Sequence, residues 1–165
     1  PLTARPLAGL AAVLTTGLVP ASATTSTIAA RAAVFTATLW PAALAPRGHT
    51  LMVDKDFVAV AFAERNARRN GLANASALLS NGFDQVPADL RFDRIASNIP
   101  ATVGKELLSI LLHDARDRLK PGGRLYVVTI NGLRDFMKRN LQAVFGNYDK
   151  LKQGAHYTVG LAQRD

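Results

Sequence analysis

The stretch from Phe92 to Ile130 restricts the possible folds more than any other part of the chain. Phe92-Asp93-Arg94-Ile95-Ala96 reads as a short strand. Ser97-Asn98-Ile99-Pro100 stops it, because proline brings no N–H to a strand ladder and restricts the residue before it. Val103, Leu107, Leu108, Leu111, Leu112, Ala115 and Leu119 then recur at helical spacing, which predicts a helix over Val103–Leu119. Lys120-Pro121-Gly122-Gly123 predicts a turn into Arg124–Ile130, a buried-looking strand rich in β-branched residues. A strand, a crossover helix and a second strand are the parts of a parallel unit.

The same alternation runs on either side. His49–Asp54 is a short strand ending in an acid, and Phe57–Asn70 is a helix with an apolar and a basic face, closed by Gly71. Ala75–Leu79 is the next strand, ended by Ser80-Asn81-Gly82-Phe83-Asp84, where Asn-Gly is a strong turn signal. Leu133–Val144 is another helix, and Asp149–Lys152 with Tyr157–Ala162 is a final antiparallel pair. Strands alternating with helices, then a closing hairpin, predict an α/β fold: a mostly parallel twisted sheet, helices on both faces, and an antiparallel C-terminal strand. In such a sheet ligands bind in the crevice beyond the carboxyl ends of the strands. Asp54, Asn81 and Asn98 all follow strands that run the same way, so they are expected at one end. Beside a proline-stiffened backbone, the Asn98 amide can hold a planar amine by hydrogen bonds.

Composition narrows the chemistry. At 165 residues, 48% hydrophobic and 19% charged, residues 1–165 fit one domain with a real core. The absence of cysteine excludes disulfides, a thiolate metal site and a cysteine nucleophile. His49, His113 and His156 have no short-spaced partner among them, so no metal site is expected. A net charge of +8 suits a polyanionic partner such as RNA.

From about Leu51 to Gly160 the chain resembles class I S-adenosylmethionine-dependent methyltransferases of the small-domain group, which includes ribosomal RNA guanine-N2 methyltransferases. The resemblance rests on Leu119-Lys120-Pro121-Gly122-Gly123, on Arg65-Asn66-Ala67-Arg68-Arg69-Asn70-Gly71 and on the loop after Ala96. That loop in the family usually reads Asn-Pro-Pro-aromatic and acts on exocyclic amines of nucleobases or on glutamine amides. Here it reads Asn98-Ile99-Pro100-Ala101, keeping the asparagine and one proline. The resemblance implies a Rossmann-like fold, S-adenosylmethionine as cofactor, and Asn98 and Pro100 as the amine-holding loop. It gives Asp54 the ribose hydroxyls, places Lys55 beside the adenine, and puts Asn81-Gly82 where the family usually has an acid for the adenine amine. Asn81 can still accept through its carbonyl oxygen, without charge assistance. Two simpler accounts compete: Asp54 opens a turn and caps the helix near Phe57, and Asn81-Gly82 is only a turn. Lys105 is placed to meet a phosphate or simply to be solvated. An intracellular enzyme acting on RNA implies the cytoplasm.

Residues 1–48 depart from this pattern. In the family the first strand ends in an acid and a glycine-rich turn, whose glycines let backbone approach the cofactor. Between Val19 and Pro46 there is neither glycine nor acid. The apolar run from Leu7 to Val19 followed by Ala21-Ser22-Ala23 has the look of a secretory signal, against which stands the intracellular type of enzyme that follows. Pro20 and many Thr and Ser residues interrupt the run before the ~20 residues that a membrane span needs. A helix is expected over Leu7–Leu18 and a second over Thr27–Leu39, with a buried strand within Ala32–Leu39 as the alternative. Read in the neighbouring frame, the codons of residues 26–37 permit Asp at Thr27, Cys at Ala29 and Gly at Ala30, Ala32 and Ala37. The segment before about Ala42 is thus readable as a frame-shifted glycine loop. That reading expects helical or irregular structure where the first strand and its turn belong, and weak cofactor binding. Two functions follow: an N-methyltransferase acting on an RNA base amine, or a degenerate, non-catalytic domain of this fold that binds RNA or protein.

Overall fold

A computed structural model describes residues 12–16, 42, 46–99 and 104–165. Seven strands form one sheet in the order β3-β2-β1-β4-β5-β7-β6. They are β1 (Ala12–Thr16), β2 (His49–Asp54), β3 (Ala75–Leu79), β4 (Phe92–Asn98), β5 (Leu119–Ile130), β6 (Asp149–Gln153) and β7 (Tyr157–Gln163). Between them lie α1 (Phe57–Arg69), α2 (Lys105–Arg118) and α3 (Arg134–Phe145), the last entered through a 3-10 turn at Asn131–Leu133.

Helices cover both faces. Met52 of β2 and Ala75 and Ala77 of β3 pack on one side with Ala63 and Ala67 of α1. On the other side Val53, Ile95, Leu125, Val127 and Ala162 of the sheet meet Leu108, Leu112 and Ala115 of α2 and Met137 and Leu141 of α3. Leu112, Leu125 and Leu141 are essentially inaccessible to solvent, and burying each stabilises the fold by about 1.5–3 kcal/mol. The alternation is strict in β5, where 125, 127 and 129 are buried between half-exposed neighbours.

The helix ends follow from local sequence. Asp56 caps α1 by accepting from the Val58 N–H at 2.8 Å, and Arg68 and Arg69 lie at its carboxyl end, where cations are favoured. Arg164, near the end of the chain, donates to the carbonyls of Arg116 (3.1 Å) and Asp117 (3.0 Å) in the last turn of α2. The Lys120–Gly123 turn is a loop-out within β5: Phe92 faces Leu119 and Arg94 faces Arg124, so four residues oppose Asp93 alone. Lys120 closes it with an ion pair to Asp93 at 3.0 Å.

Strands β2 to β5 and β6 run one way, with β7 antiparallel to β5 and β6. The C-terminal antiparallel strand is therefore as expected. One strand is not: β1 lies inside the sheet, third of the seven, antiparallel to both β2 and β4. The helix expected over Leu7–Leu18 is thus corrected to a strand at Ala12–Thr16. The reason is tertiary. Parallel β2 and β4 leave a gap one strand wide, and their facing N–H and C=O groups need partners that only an extended segment supplies. The helix expected over Thr27–Leu39 and the alternative strand within Ala32–Leu39 lie outside the described residues. Among the described residues no helix is long and apolar enough to cross a membrane.

Candidate active site

The carboxyl ends of β2, β3, β4 and β5 form one edge of the sheet. Register places the candidates on it. Asp54 pairs with Leu79, two residues before Asn81, and Asn98 pairs with Val128 of β5. Val53 and Ser97, one residue before Asp54 and Asn98, both pair with Ala12 of β1. Asp54 and Asn98 therefore stand level, two strand spacings or about 9–10 Å apart. Lys55 and Gly82 follow their neighbours at the same edge. The structure brings together five of the six candidates; Pro100 lies outside the described residues, as does Ala101.

Each candidate is held by its own backbone surroundings. Asp54 is half-buried, and its Oδ1 accepts from the Asp56 N–H at 2.9 Å while its carbonyl accepts from the Ser80 N–H at 2.9 Å. The turn expected at Asp54 exists, but the helix cap is Asp56, which leaves Oδ2 of Asp54 available to a ligand hydroxyl. Asn81 is exposed, and its Nδ2 donates to Asp84 Oδ2 at 3.4 Å, which leaves its side-chain carbonyl oxygen as an acceptor. Gly82 has φ +59, a conformation that glycine adopts without a Cβ penalty. Ser80, which the sequence reading passed over, supports this turn: its buried hydroxyl accepts from the Gln85 N–H at 3.0 Å and donates to the Gly82 carbonyl at 3.1 Å. A serine before Asn-Gly is the only signal the sequence offers for that role. Asn98 is exposed, and the Ile99 N–H donates to the Val128 carbonyl at 2.9 Å, which ties the start of the loop to β5.

These groups fit one half of S-adenosylmethionine. A carboxylate oxygen at Asp54 suits the ribose diol, and an amide carbonyl at Asn81 suits the adenine amine. Among the described residues nothing is placed to hold the half that carries the methionine. Thr16, where β1 ends, pairs with His49 at the opposite edge of the sheet, so the connection leaving β1 starts away from Asp54 and Asn98. Among the described residues no group of three His, Cys, Asp or Glu side chains is placed to hold a metal ion. An apolar cavity of about 330 Å³, lined by His49, Leu51, Ser76, Leu78, Leu90 and Phe92, lies toward that opposite edge. Its polar rim is the His49 Nε2 to Ser76 Oγ contact at 2.7 Å.

The family model of the methyltransferase small domain matches residues 33–160. The structure is similar to the 16S rRNA N2 methyltransferase RsmC of Thermus thermophilus, solved with AdoMet and guanosine. The two share 28% identity and a TM-score of 0.61 over 68% of this chain and 30% of that one. A methyltransferase from Pyrococcus furiosus is 25% identical with a TM-score of 0.54, over 68% of this chain and 60% of that one. The uncharacterized protein YbxB of Bacillus subtilis is 30% identical over 77 residues, 47% of this chain and 38% of YbxB. The chain spans less than two thirds of the length of each of these proteins.

Proposed function

Because the chain belongs to the methyltransferase small domain family, we propose that it transfers a methyl group from S-adenosylmethionine to an exocyclic amine of an RNA base, in the cytoplasm. The observation that carries this reading is the convergence of Asp54, Asn81 and Asn98 on one edge of the sheet. When bound, S-adenosylmethionine supplies an electrophilic methyl group on a sulfonium. Asp54 and Lys55 would hold the ribose and adenine, and Asn81-Gly82 would accept from the adenine amine. Asn98 accepts an N–H of the substrate amine through its amide oxygen, which aims the nitrogen lone pair along the line of attack. The proton lost from nitrogen passes to solvent, so the protein contributes positioning and polar stabilisation rather than a strong base. RNA as the substrate is supported by the +8 charge and by the similarity to RsmC, a 16S rRNA methyltransferase.

The test is transfer of a labelled methyl group into ribosomal RNA. Removing one positioned hydrogen-bond partner of the reacting group, as in Asn98→Ala, is expected to lower turnover about 100-fold with little loss of cofactor affinity. Parental turnover in that variant removes Asn98 from the mechanism. A second reading, a non-catalytic RNA-binding domain, is favoured by the reversed β1. It is the outcome if RNA binds and no methyl group is transferred.

A further inference from the structure

The two halves of the candidate site are built unequally, and the difference lies in the strand between β2 and β4. Beside Asp54 and Asn81 the geometry is regular: β2 and β3 are parallel, paired from Thr50–Ala75 to Asp54–Leu79, with the Ser80 N–H on the Asp54 carbonyl. Between Asp54 and Asn98 stands β1, reversed with respect to both neighbours. Its amino end, Ala12, is the part nearest the ligand edge, and its carboxyl end, Thr16, is level with His49 at the far edge. Residues 12–16 also precede the 33–160 range that the family model matches. The strand between β2 and β4 is therefore not drawn from the matched residues.

A strand–turn element can present consecutive backbone N–H groups to a ligand only where the chain leaves the strand at the ligand's side of the sheet. Here β1 ends at Thr16, level with His49 on the other side, where Gly17 follows it in sequence, and the stretch from Val19 to Pro46 contains no glycine to permit close backbone approach. Nothing comparable is disturbed around Asp54, whose Oδ2 is open, or Asn81, whose amide nitrogen is already committed to Asp84.

We propose that this chain carries an adenosine half-site: it recognises the ribose diol and adenine amine of a nucleoside, and gains nothing from an amino-acid group attached at the 5′ carbon. The inference rests on the roles given above to Asp54 and Asn81. It widens the expected ligand class from the intact cofactor alone to adenine nucleosides in general, 5′-thioether nucleosides included.

Calorimetric titration of the full chain with adenosine, 5′-methylthioadenosine and S-adenosylhomocysteine separates the possibilities. The expected result is that the three dissociation constants agree to within about tenfold, and that Asp54→Asn weakens all of them by about tenfold or more. Asp54→Asn keeps an oxygen for the Asp56 N–H, and a thermal melt matching the parent shows that it folds. Tighter binding of S-adenosylhomocysteine than of adenosine by more than about tenfold overturns the half-site and leaves the methyltransferase reading standing. No binding of any of the three overturns both.

Discussion

Replacing Gly123 by alanine is expected to cost far more than replacing its neighbour Gly122, for reasons that the backbone alone dictates. A Cβ on Gly123 would lie 2.8 Å from the Lys120 carbonyl oxygen, 3.1 Å from the Phe92 carbonyl oxygen and 3.1 Å from Leu119 Cδ2. Two of these are main-chain atoms, which no rotamer change can move. The loop cannot easily yield either, since the Gly122 N–H donates to the Arg164 carbonyl at 2.8 Å and the Arg164 N–H to the Gly123 carbonyl at 2.9 Å. Overpacking of this kind costs up to about 3 kcal/mol. At Gly122 a Cβ would meet nothing within 4 Å, and the cost is that of holding alanine at φ +74, about 1 kcal/mol. For a domain of this size these correspond to losses in Tm of roughly 6–12 °C for Gly123→Ala and roughly 2–4 °C for Gly122→Ala. Urea unfolding of both variants beside the parent, read as midpoints at constant m, measures the difference. A Gly122→Ala variant as destabilised as Gly123→Ala would refute the steric account of the turn.

Ser97 is 7% exposed and its hydroxyl has no hydrogen-bond partner, beside a void of about 10 Å³ bounded by Ile95, Ile99, Leu112 and Val127. Ser97→Ala is expected to stabilise the fold by about 1 kcal/mol, because an unpaired hydroxyl leaves the core; a drop in Tm would contradict this. Burial pushes the Asp114 carboxyl up from its ordinary value, with Arg118 opposing. Its ionisation therefore costs stability as pH rises through the raised folded value, so Asp114→Asn is expected to melt higher than the parent at neutral pH and equally below about pH 3. An advantage that persists in acid would point to another cause. RNA affinity is expected to fall steeply with added salt, with log K linear in log salt, since basic side chains displace counterions. A flat salt dependence would point to a different mode.

Most of the framework was legible because each element carries its own signal. The β2 and β3 bounds follow from short apolar runs ending at Asp54 and Leu79, and α2 from the spacing of Leu108, Leu111, Leu112 and Ala115. The hairpin of β6 and β7 was readable from its turn, one residue longer on each strand than expected. Placing Asp54, Asn81 and Asn98 at one edge needed only the direction of the strands before them. The direction of β1 was not readable. Ala12-Val13-Leu14-Thr15-Thr16 is too short for periodicity to separate helix from strand, and its orientation is set by pairing with Val53 and Ser97, both far away in the chain. The reading of residues before Ala42 as a frame-shifted remnant expected helix or irregular structure in place of the first strand. A strand stands there instead, reversed, and the glycine turn that it sought falls outside the described residues. The role of Ser80 was hidden for a different reason: a hydroxyl bracing a turn from below looks in sequence like any serine.

The central claim is that nucleoside recognition occurs at the carboxyl edge of β2, β3 and β4. Amide chemical shifts recorded while S-adenosylhomocysteine is titrated into the labelled protein test it most directly. The account predicts saturable shifts at Asp54, Lys55, Asn81, Gly82 and Asn98, with His49, Ser76 and Leu90 around the apolar cavity unmoved. Shifts gathered around His49, Ser76 and Leu90 instead, or none at saturating ligand, would contradict it.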